Sequence, residues 1–227
     1  FVTTSDINGL QKFRDAGYTN VIYSPFACNP DVYRNEDLPK IYDVTFVGQF
    51  HPIREWYINY LKKAEINVLV WGVGWPRGML NLEDMVRVFN QSRINLNLSN
   101  SVSWDIRYLI APFRHVRSTF RAWRQAIHSF TRADVKTVES VKGRHFEINA
   151  CGGFQLSYYV EGLERLYAIG DDIAVYASAD DLVEKTRYYL KHASERESIA
   201  QSGYERTLHN HTMKKRLQDI LTHMELD

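Results

Sequence analysis

The chain has 227 residues, of which 44% are hydrophobic and 13% aromatic, enough for one full domain with additional segments or for two small domains. Its 28 basic and 27 acidic residues nearly cancel, which excludes a general binder of polyanions, and we expect no nucleic-acid partner. The two cysteines form no C-x-x-C pair and no run of about 18 apolar residues is present, so we expect a reduced, cytoplasmic protein without a membrane span.

The first 43 residues do not show the pattern of a domain. Residues 20–25 (N-V-I-Y-S-P) indicate one strand, which a Pro/Cys/Asn-Pro turn follows. The chain starts without Met and without the apolar core of a signal peptide. We interpret residues 1–43 as a hinge and the remnant of an N-terminal acceptor domain.

From residue 42 onward, apolar strands alternate with amphipathic helices. Strands are expected at 42–48, 66–72, 94–99, 154–157 and 173–176, and helices at 53–64, 82–91, 146–151 and 212–224. Asn81 is the expected N-cap of the second helix, and two further helices should open with capping boxes at Ser178 and Ser194. This alternation predicts an α/β fold, a doubly wound Rossmann-like parallel sheet over residues 44–211, with a C-terminal helix at 212–227.

A basic amphipathic segment interrupts this pattern at about 101–140. From 104 to 137 it carries seven basic and two acidic residues. Apolar residues recur at steps of three and four between 106 and 130, which predicts a helix, although Pro112 should kink or interrupt it. Three partners fit such a helix: its own domain or a second subunit, an anionic inner-membrane surface, or a polyanion.

The most specific local pattern runs from Glu139 to Gly153 (E-S-V-K-G-R-H-F-E-I-N-A-C-G-G). Two glutamates stand eight positions apart, with Lys142 and Arg144 between them. A carboxylate can accept hydrogen bonds from the two vicinal hydroxyls of a ribose, and the cations can neutralise a diphosphate. The pattern therefore suits a nucleoside diphosphate sugar.

This stretch resembles the Glu-x7-Glu region of retaining GT-B glycosyltransferases and, more closely, the Arg-x-Phe-Glu-x-x-Ala-x-Gly pattern of the CgeB-like glycosyltransferase family. Four other segments are similar to that family in the same order along the chain. They are the hinge at 20–30, the strand end at 46–48 with Arg54, the second strand end at 71–75, and the C-terminal stretches 196–203 and 211–216.

The resemblance implies a metal-independent glycosyltransferase donor domain that binds a UDP- or GDP-sugar without a further cofactor. It implies that the donor diphosphate contacts Gly48, Arg54, Gly152 and Gly153. It also implies that the ribose contacts Glu147 and that the donor sugar contacts Glu139, the candidate catalytic residue. We expect the chain alone to be inactive, because the acceptor wall of a GT-B cleft lies in the other domain.

Two alternatives stay open: a non-catalytic module with a degenerate donor site, and another doubly wound enzyme such as a sugar-nucleotide epimerase. The epimerase is disfavoured because no Gly-x-Gly-x-x-Gly follows the first strand.

Overall fold

The structure, a computed structural model, describes residues 1–98 and 139–224. Its strands are β1 (Val2–Thr4), β2 (Val21–Tyr23), β3 (Tyr42–Val47), β4 (Leu69–Trp71), β5 (Ser92–Asn97), β6 (Gln155–Tyr158) and β7 (Ala174–Tyr176). Its helices are α1 (Gly9–Asp15), α2 (Pro52–Lys63), α3 (Leu82–Gln91), α4 (Arg144–Ala150), α5 (Ala179–Lys191), α6 (Ala193–Asn210) and α7 (Met213–His223), with a short 3-10 helix at Leu163–Arg165. The predicted basic helix at 106–130 lies outside the described residues.

Five strands form one parallel sheet in the order β4-β3-β5-β6-β7. The order runs outward from β3 in both directions, as in doubly wound folds. Thr45 pairs with Asn95, which pairs with Gln155, so these three residues lie at one level of the sheet. The predicted α/β class and the parallel sheet are confirmed.

Helices cover both faces of this sheet. On one face α2 and α5 pack against β3 and β5, and Leu61 and Leu182 are fully buried there. On the other face α3 and α4 supply Phe89 and Ile148 to a second apolar cluster. Each fully buried leucine stabilises the fold by about 2 kcal/mol relative to an exposed one.

Local signals explain most of the helix starts. The Asn81 side chain accepts the amide of Asp84 at 2.8 Å, and Ser178 accepts that of Asp181 at 3.2 Å, as predicted. The capping box predicted at Ser194 is wrong. There the helix begins two residues earlier, at Ala193 with His192 as the N-cap, and Arg196 N donates to His192 O.

The N-terminal segment contains more structure than the single predicted strand. β1 and β2 pair in parallel as a separate two-stranded sheet, with α1 between them, so residues 2–23 form a β-α-β unit. Strands of three residues are too short to show a hydrophobic period, which explains why β1 was missed. The assignment of residues 1–43 to an acceptor domain stays a prediction.

The linker after β2 contacts the C-terminal end of the chain. Cys28 N donates to His211 O at 3.0 Å, and Met213 N donates to Cys28 O at 2.8 Å. These bonds fix the start of α7 against the linker. In the part of the chain that the structure describes, no helix is long and apolar enough to cross a bilayer.

Candidate functional site

The carboxyl ends of the parallel strands bring several predicted site residues together, which is where open α/β sheets place ligands. Gly48 follows β3 directly, and Leu98 follows β5. The 139–147 segment leads into α4 at this same edge. Its residues Glu139 and Lys142 line a small cavity together with Leu98 and with the end of β6.

Arg54 is held firmly at this edge. Its Nε donates to Leu98 O at 3.2 Å and its Nη1 to Gln49 O at 2.8 Å, while the guanidinium lies 5.3 Å from the centre of the Phe46 ring. Burial lowers the pKa of the Arg54 guanidinium, and the nearby Glu139 carboxylate acts in the opposite direction. Arg54 therefore supplies a fixed positive charge across the ends of β3 and β5.

Gly48 lies in a tight contact between two turns. Its N–H donates to Trp71 O at 2.9 Å, and its carbonyl accepts the Trp75 indole N–H at 3.0 Å. A Cβ on Gly72, whose φ is +138°, would lie 2.1 Å from Gly48 O. Gly72 is thus needed for the close approach of the turns after β3 and β4.

The turn before α4 and the first turn of α4 each carry one ion pair between residues three apart. Lys142 Nζ lies 2.7 Å from Glu139 Oε1, and Arg144 Nη1 lies 2.7 Å from Glu147 Oε2. The Glu139 side chain is 7% exposed and that of Glu147 22%. The turn therefore presents two cations, both paired with carboxylates that belong to the same short segment.

Arg144 and Glu147 also contact other elements. Arg144 Nη1 lies 3.1 Å from Met85 Sδ, and its guanidinium lies 5.0 Å from the centre of the Phe89 ring, both in α3. On the other side, Tyr33 of the linker faces Glu147. Burial and, next, this carboxylate raise the pKa of Tyr33 to about 12.

Sequence reasoning missed two residues of this region, Tyr33 and His145. His145 is buried, and its ring bridges the main chain of Lys142 and the hydroxyl of Ser157. It lies inside the recognised motif, but only the structure pairs it with β6. Tyr33 lies in the linker, over 100 positions before Glu147, and no local pattern connects the two.

Gly152 and Gly153 do not lie beside Gly48, although the family resemblance implies that all three contact the donor diphosphate. Both precede β6, whereas Gly48 follows β3, so they lie at opposite edges of the sheet. Five residue steps separate Gly153 from Gly48 along the strand direction, roughly 16 Å at about 3.3 Å per residue. The two glycines are therefore absent from the charged cluster around Arg54.

Gly152 and Gly153 instead end α4. Gly152 N donates to Asn149 O at 2.9 Å and Gly153 N to Ile148 O at 3.1 Å, the two bonds of a Schellman motif. Gly152 has a φ of +64°, and a Cβ on Gly153 would meet Asn95 Nδ2 at 2.8 Å. Conformation and packing account for both glycines without a ligand.

Among the described residues, no group of three His, Cys, Asp or Glu side chains is placed to hold a metal ion. The fold and the site together define a Rossmann-like α/β domain with a charged carboxyl edge. The profile of the "Glycosyl transferase-like" family matches residues 54–222, so this chain belongs to that family.

Related proteins agree with this assignment. The chain is 22% identical to the spore protein CgeB of Bacillus subtilis (strain 168) in an alignment 227 positions long, which covers 91% of this chain and 62% of CgeB. Among solved structures it is similar to the sucrose-phosphate synthase of Thermosynechococcus elongatus, with a TM-score of 0.67, 12% identity, and coverage of 99% of this chain and 57% of the synthase. It is also similar to Anabaena HepE, solved in complex with UDP and glucose, with a TM-score of 0.66, 10% identity, and coverage of 99% and 62%. The fold is that of GT-B glycosyltransferases, and the chain spans about 60% of the length of these relatives.

Proposed function

We propose that this chain is the donor-binding part of a GT-B glycosyltransferase and binds a nucleoside diphosphate sugar at the carboxyl edge of its sheet. One observation carries the proposal. Two glutamate–cation pairs flank the turn before α4, and the fixed charge of Arg54 lies beside them. The solved complex of HepE with UDP and glucose supports a nucleotide sugar as the ligand class.

The ion pairs suit exchange with a diphosphate. Lys142 and Arg144 are each bound to a side chain, which can rotate away when phosphate oxygens arrive. Arg144 can then bind phosphate through its planar fork, which releases the Glu147 carboxylate for the two ribose hydroxyls. Each cation that leaves its glutamate gains a ligand with higher negative charge.

We propose that transfer proceeds without a metal ion. Negative charge develops on the diphosphate as it leaves the sugar, and prepositioned cations stabilise that charge. Arg54, Lys142 and Arg144 supply three such cations at one edge. Glu139 stays a candidate for contact with the donor sugar, because a move of Lys142 toward the phosphates would release its carboxylate.

The acceptor side of the reaction is proposed to come from outside this chain. A GT-B cleft has two walls, and the relatives named above have about 40% of their length beyond the part that this chain matches. The base that activates an acceptor, where one is used, would lie on the second wall.

Calorimetry with UDP and GDP in the presence of EDTA tests the proposed site. We expect the parent protein to bind one of the two, and Glu147→Ala to weaken that binding by about 1.5–3 kcal/mol, the range for a charge-assisted hydrogen bond. Glu83→Ala is the matched control, because Glu83 forms a 2.7 Å pair with Arg87 on the surface of α3. Equal affinities for the parent and Glu147→Ala would remove Glu147 from the site, and a strict need for Mn²⁺ would contradict the metal-free mechanism.

A further inference from the structure

His145 connects the turn before α4 to the end of β6. The residue is 3% exposed, and it lies in the first turn of α4. Its Nε2 lies 3.1 Å from Ser157 Oγ, and its Nδ1 lies 3.1 Å from the main-chain nitrogen of Lys142. Ser157 is the next-to-last residue of β6. The ring thus spans from the cation-bearing turn to the carboxyl edge of the sheet.

Both ring nitrogens of His145 have polar partners. Nδ1 lies 3.0 Å from Lys142 O and 3.1 Å from Lys142 N, and Nε2 lies 3.1 Å from Ser157 Oγ, whose hydroxyl also lies 3.0 Å from Tyr158 O. One nitrogen of a neutral imidazole donates and the other accepts, so the ring is hydrogen-bonded at both ends in either tautomer. Burial lowers the pKa of His145 to about 4, so the neutral ring is present throughout the physiological range.

A merely space-filling residue would not need these contacts. A buried imidazole costs free energy unless its nitrogens are hydrogen-bonded, and an aliphatic side chain would fill the same space without that cost. Both partners lie at the candidate site: the Lys142 main chain adjoins the two cations, and Ser157 lines the same small cavity as Glu139. A ring bonded at both ends restricts how far this turn can move from the sheet.

We propose that His145 is a positioning residue for the diphosphate site, holding the Lys142–Arg144 turn against β6 through Ser157. It places both cations without touching the ligand itself. The inference rests on the proposed donor-binding function, and it adds two residues, His145 and Ser157, to the group that determines donor affinity.

Substitutions separate the two ends of the ring. His145→Asn retains an acceptor for the Lys142 N–H but is too short for Ser157. Ser157→Ala removes the same link from the strand side, and Ser157→Thr keeps the hydroxyl. Ser92→Ala is the matched control, because Ser92 is a fully buried serine of β5 that accepts from Thr45 Oγ1 at 2.8 Å, at the opposite edge of the sheet.

Two measurements on each variant test the proposal: amide hydrogen exchange of residues 140–147, and the Kd for UDP and GDP. We expect Ser157→Ala and His145→Asn to speed exchange in this turn and to raise Kd roughly fivefold, the equivalent of one hydrogen bond. The double variant should be no weaker than His145→Asn alone, and Ser157→Thr should restore the parent Kd. Ser92→Ala should lower the melting temperature without changing either readout.

Two results would overturn the positioning role. One is unchanged exchange in the turn, which needs no ligand to measure. The other is a Kd that responds to Ser157→Ala no more than to Ser92→Ala. If the parent protein bound neither UDP nor GDP, the proposed function would fall, and the assignment of a diphosphate to this turn would fall with it, whereas hydrogen exchange would still show whether His145 holds the turn.

Discussion

The two edges of the five-stranded sheet use the same residue types for different purposes. At the carboxyl edge, Lys142 and Arg144 pair with glutamate side chains. At the amino edge, Lys40 donates to Asn90 O at 2.6 Å, and the buried Arg196 donates to Tyr189 O at 2.6 Å, at the end of α5. A side-chain partner can rotate away when a ligand binds, but a main-chain carbonyl cannot move without distorting its helix or strand.

We infer that a cation bound to the main chain stabilises the fold, whereas a cation paired with a carboxylate at the carboxyl edge is available for exchange with an anion. Arg54 combines both, because it lies at the carboxyl edge but donates to two main-chain carbonyls. We therefore expect Arg54 to act as a fixed charge, and Lys142 and Arg144 as the mobile ones.

The largest expected effect concerns the second wall of the cleft, which we propose lies outside these 227 residues. A carboxyl edge without an opposing domain should bind a donor weakly and transfer no sugar, because the loss of proximity removes about 7–11 kcal/mol of barrier reduction. A transfer assay with a nucleotide-sugar panel and a lipid-linked or protein acceptor extract measures this. Robust turnover by these 227 residues alone would show that the carboxyl edge suffices for sugar transfer without a second wall.

Acid should destabilise the protein through three histidines. Burial lowers the pKa of His51, His145 and His211 to about 4, from an ordinary value of 6.5. Between these values the unfolded chain binds more protons than the folded one, so the free energy of unfolding falls as the pH falls, by roughly 1 kcal/mol per ring at pH 5.5. Urea denaturation at pH 7.5 and 5.5 measures this loss.

Variants assign the acid sensitivity to individual residues. His145→Asn should remove about a third of the difference in the free energy of unfolding between the two pH values, because one of three such rings among the described residues is gone. His192→Asn, at an exposed position on the surface, is the control and should leave the difference unchanged. If His145→Asn retained the full difference, the acid sensitivity would not come from the carboxyl edge.

The arginines of the two edges should show opposite phenotypes. Arg196→Ala leaves a buried carbonyl without its donor and should lower the free energy of unfolding by about 2 kcal/mol, with no change in nucleotide affinity. Arg144→Ala should weaken nucleotide binding by about 1.5–3 kcal/mol and change stability by less than about 1 kcal/mol. Calorimetry measures the nucleotide affinity of both variants, and urea denaturation measures their free energy of unfolding. If both variants lost the same property, the two edges would not differ in the way described above.

Gly152 tests the amino edge through its backbone conformation. Gly152→Ala forces a side chain into a left-handed conformation beside Asn35 Nδ2 and should cost about 1–2 kcal/mol of stability. Donor affinity should stay at the parent value, since this glycine lies at the amino edge. Gly170→Ala is the control for strain alone, because its φ is +94° and no atom lies within 4 Å of the added Cβ. A loss of nucleotide affinity in Gly152→Ala but not in Gly170→Ala would return this glycine to the donor site.

Much of the main sheet was predictable because its signals are local. The strand at 42–47 and the helix at 82–91 follow from apolar period and from the cap at Asn81, which act within a few residues. The Glu139–Glu147 spacing was equally visible, and its two ion pairs form between residues three apart. The Ser194 cap failed because the choice between neighbouring helix starts differs by little free energy and was decided by packing.

The sequence by itself determined the elements, their order and the charged motif, since hydrophobic period, capping and close spacing act through neighbouring residues. Tertiary structure alone decided which edge of the sheet each residue occupies. Gly152 follows Glu147 by only five positions, yet the helix between them carries the chain from the carboxyl edge back to the amino edge. Tertiary structure also decided that Tyr33 faces Glu147 and that His145 contacts Ser157. These contacts depend on strand pairing and on the path of the linker, which no short window of sequence encodes.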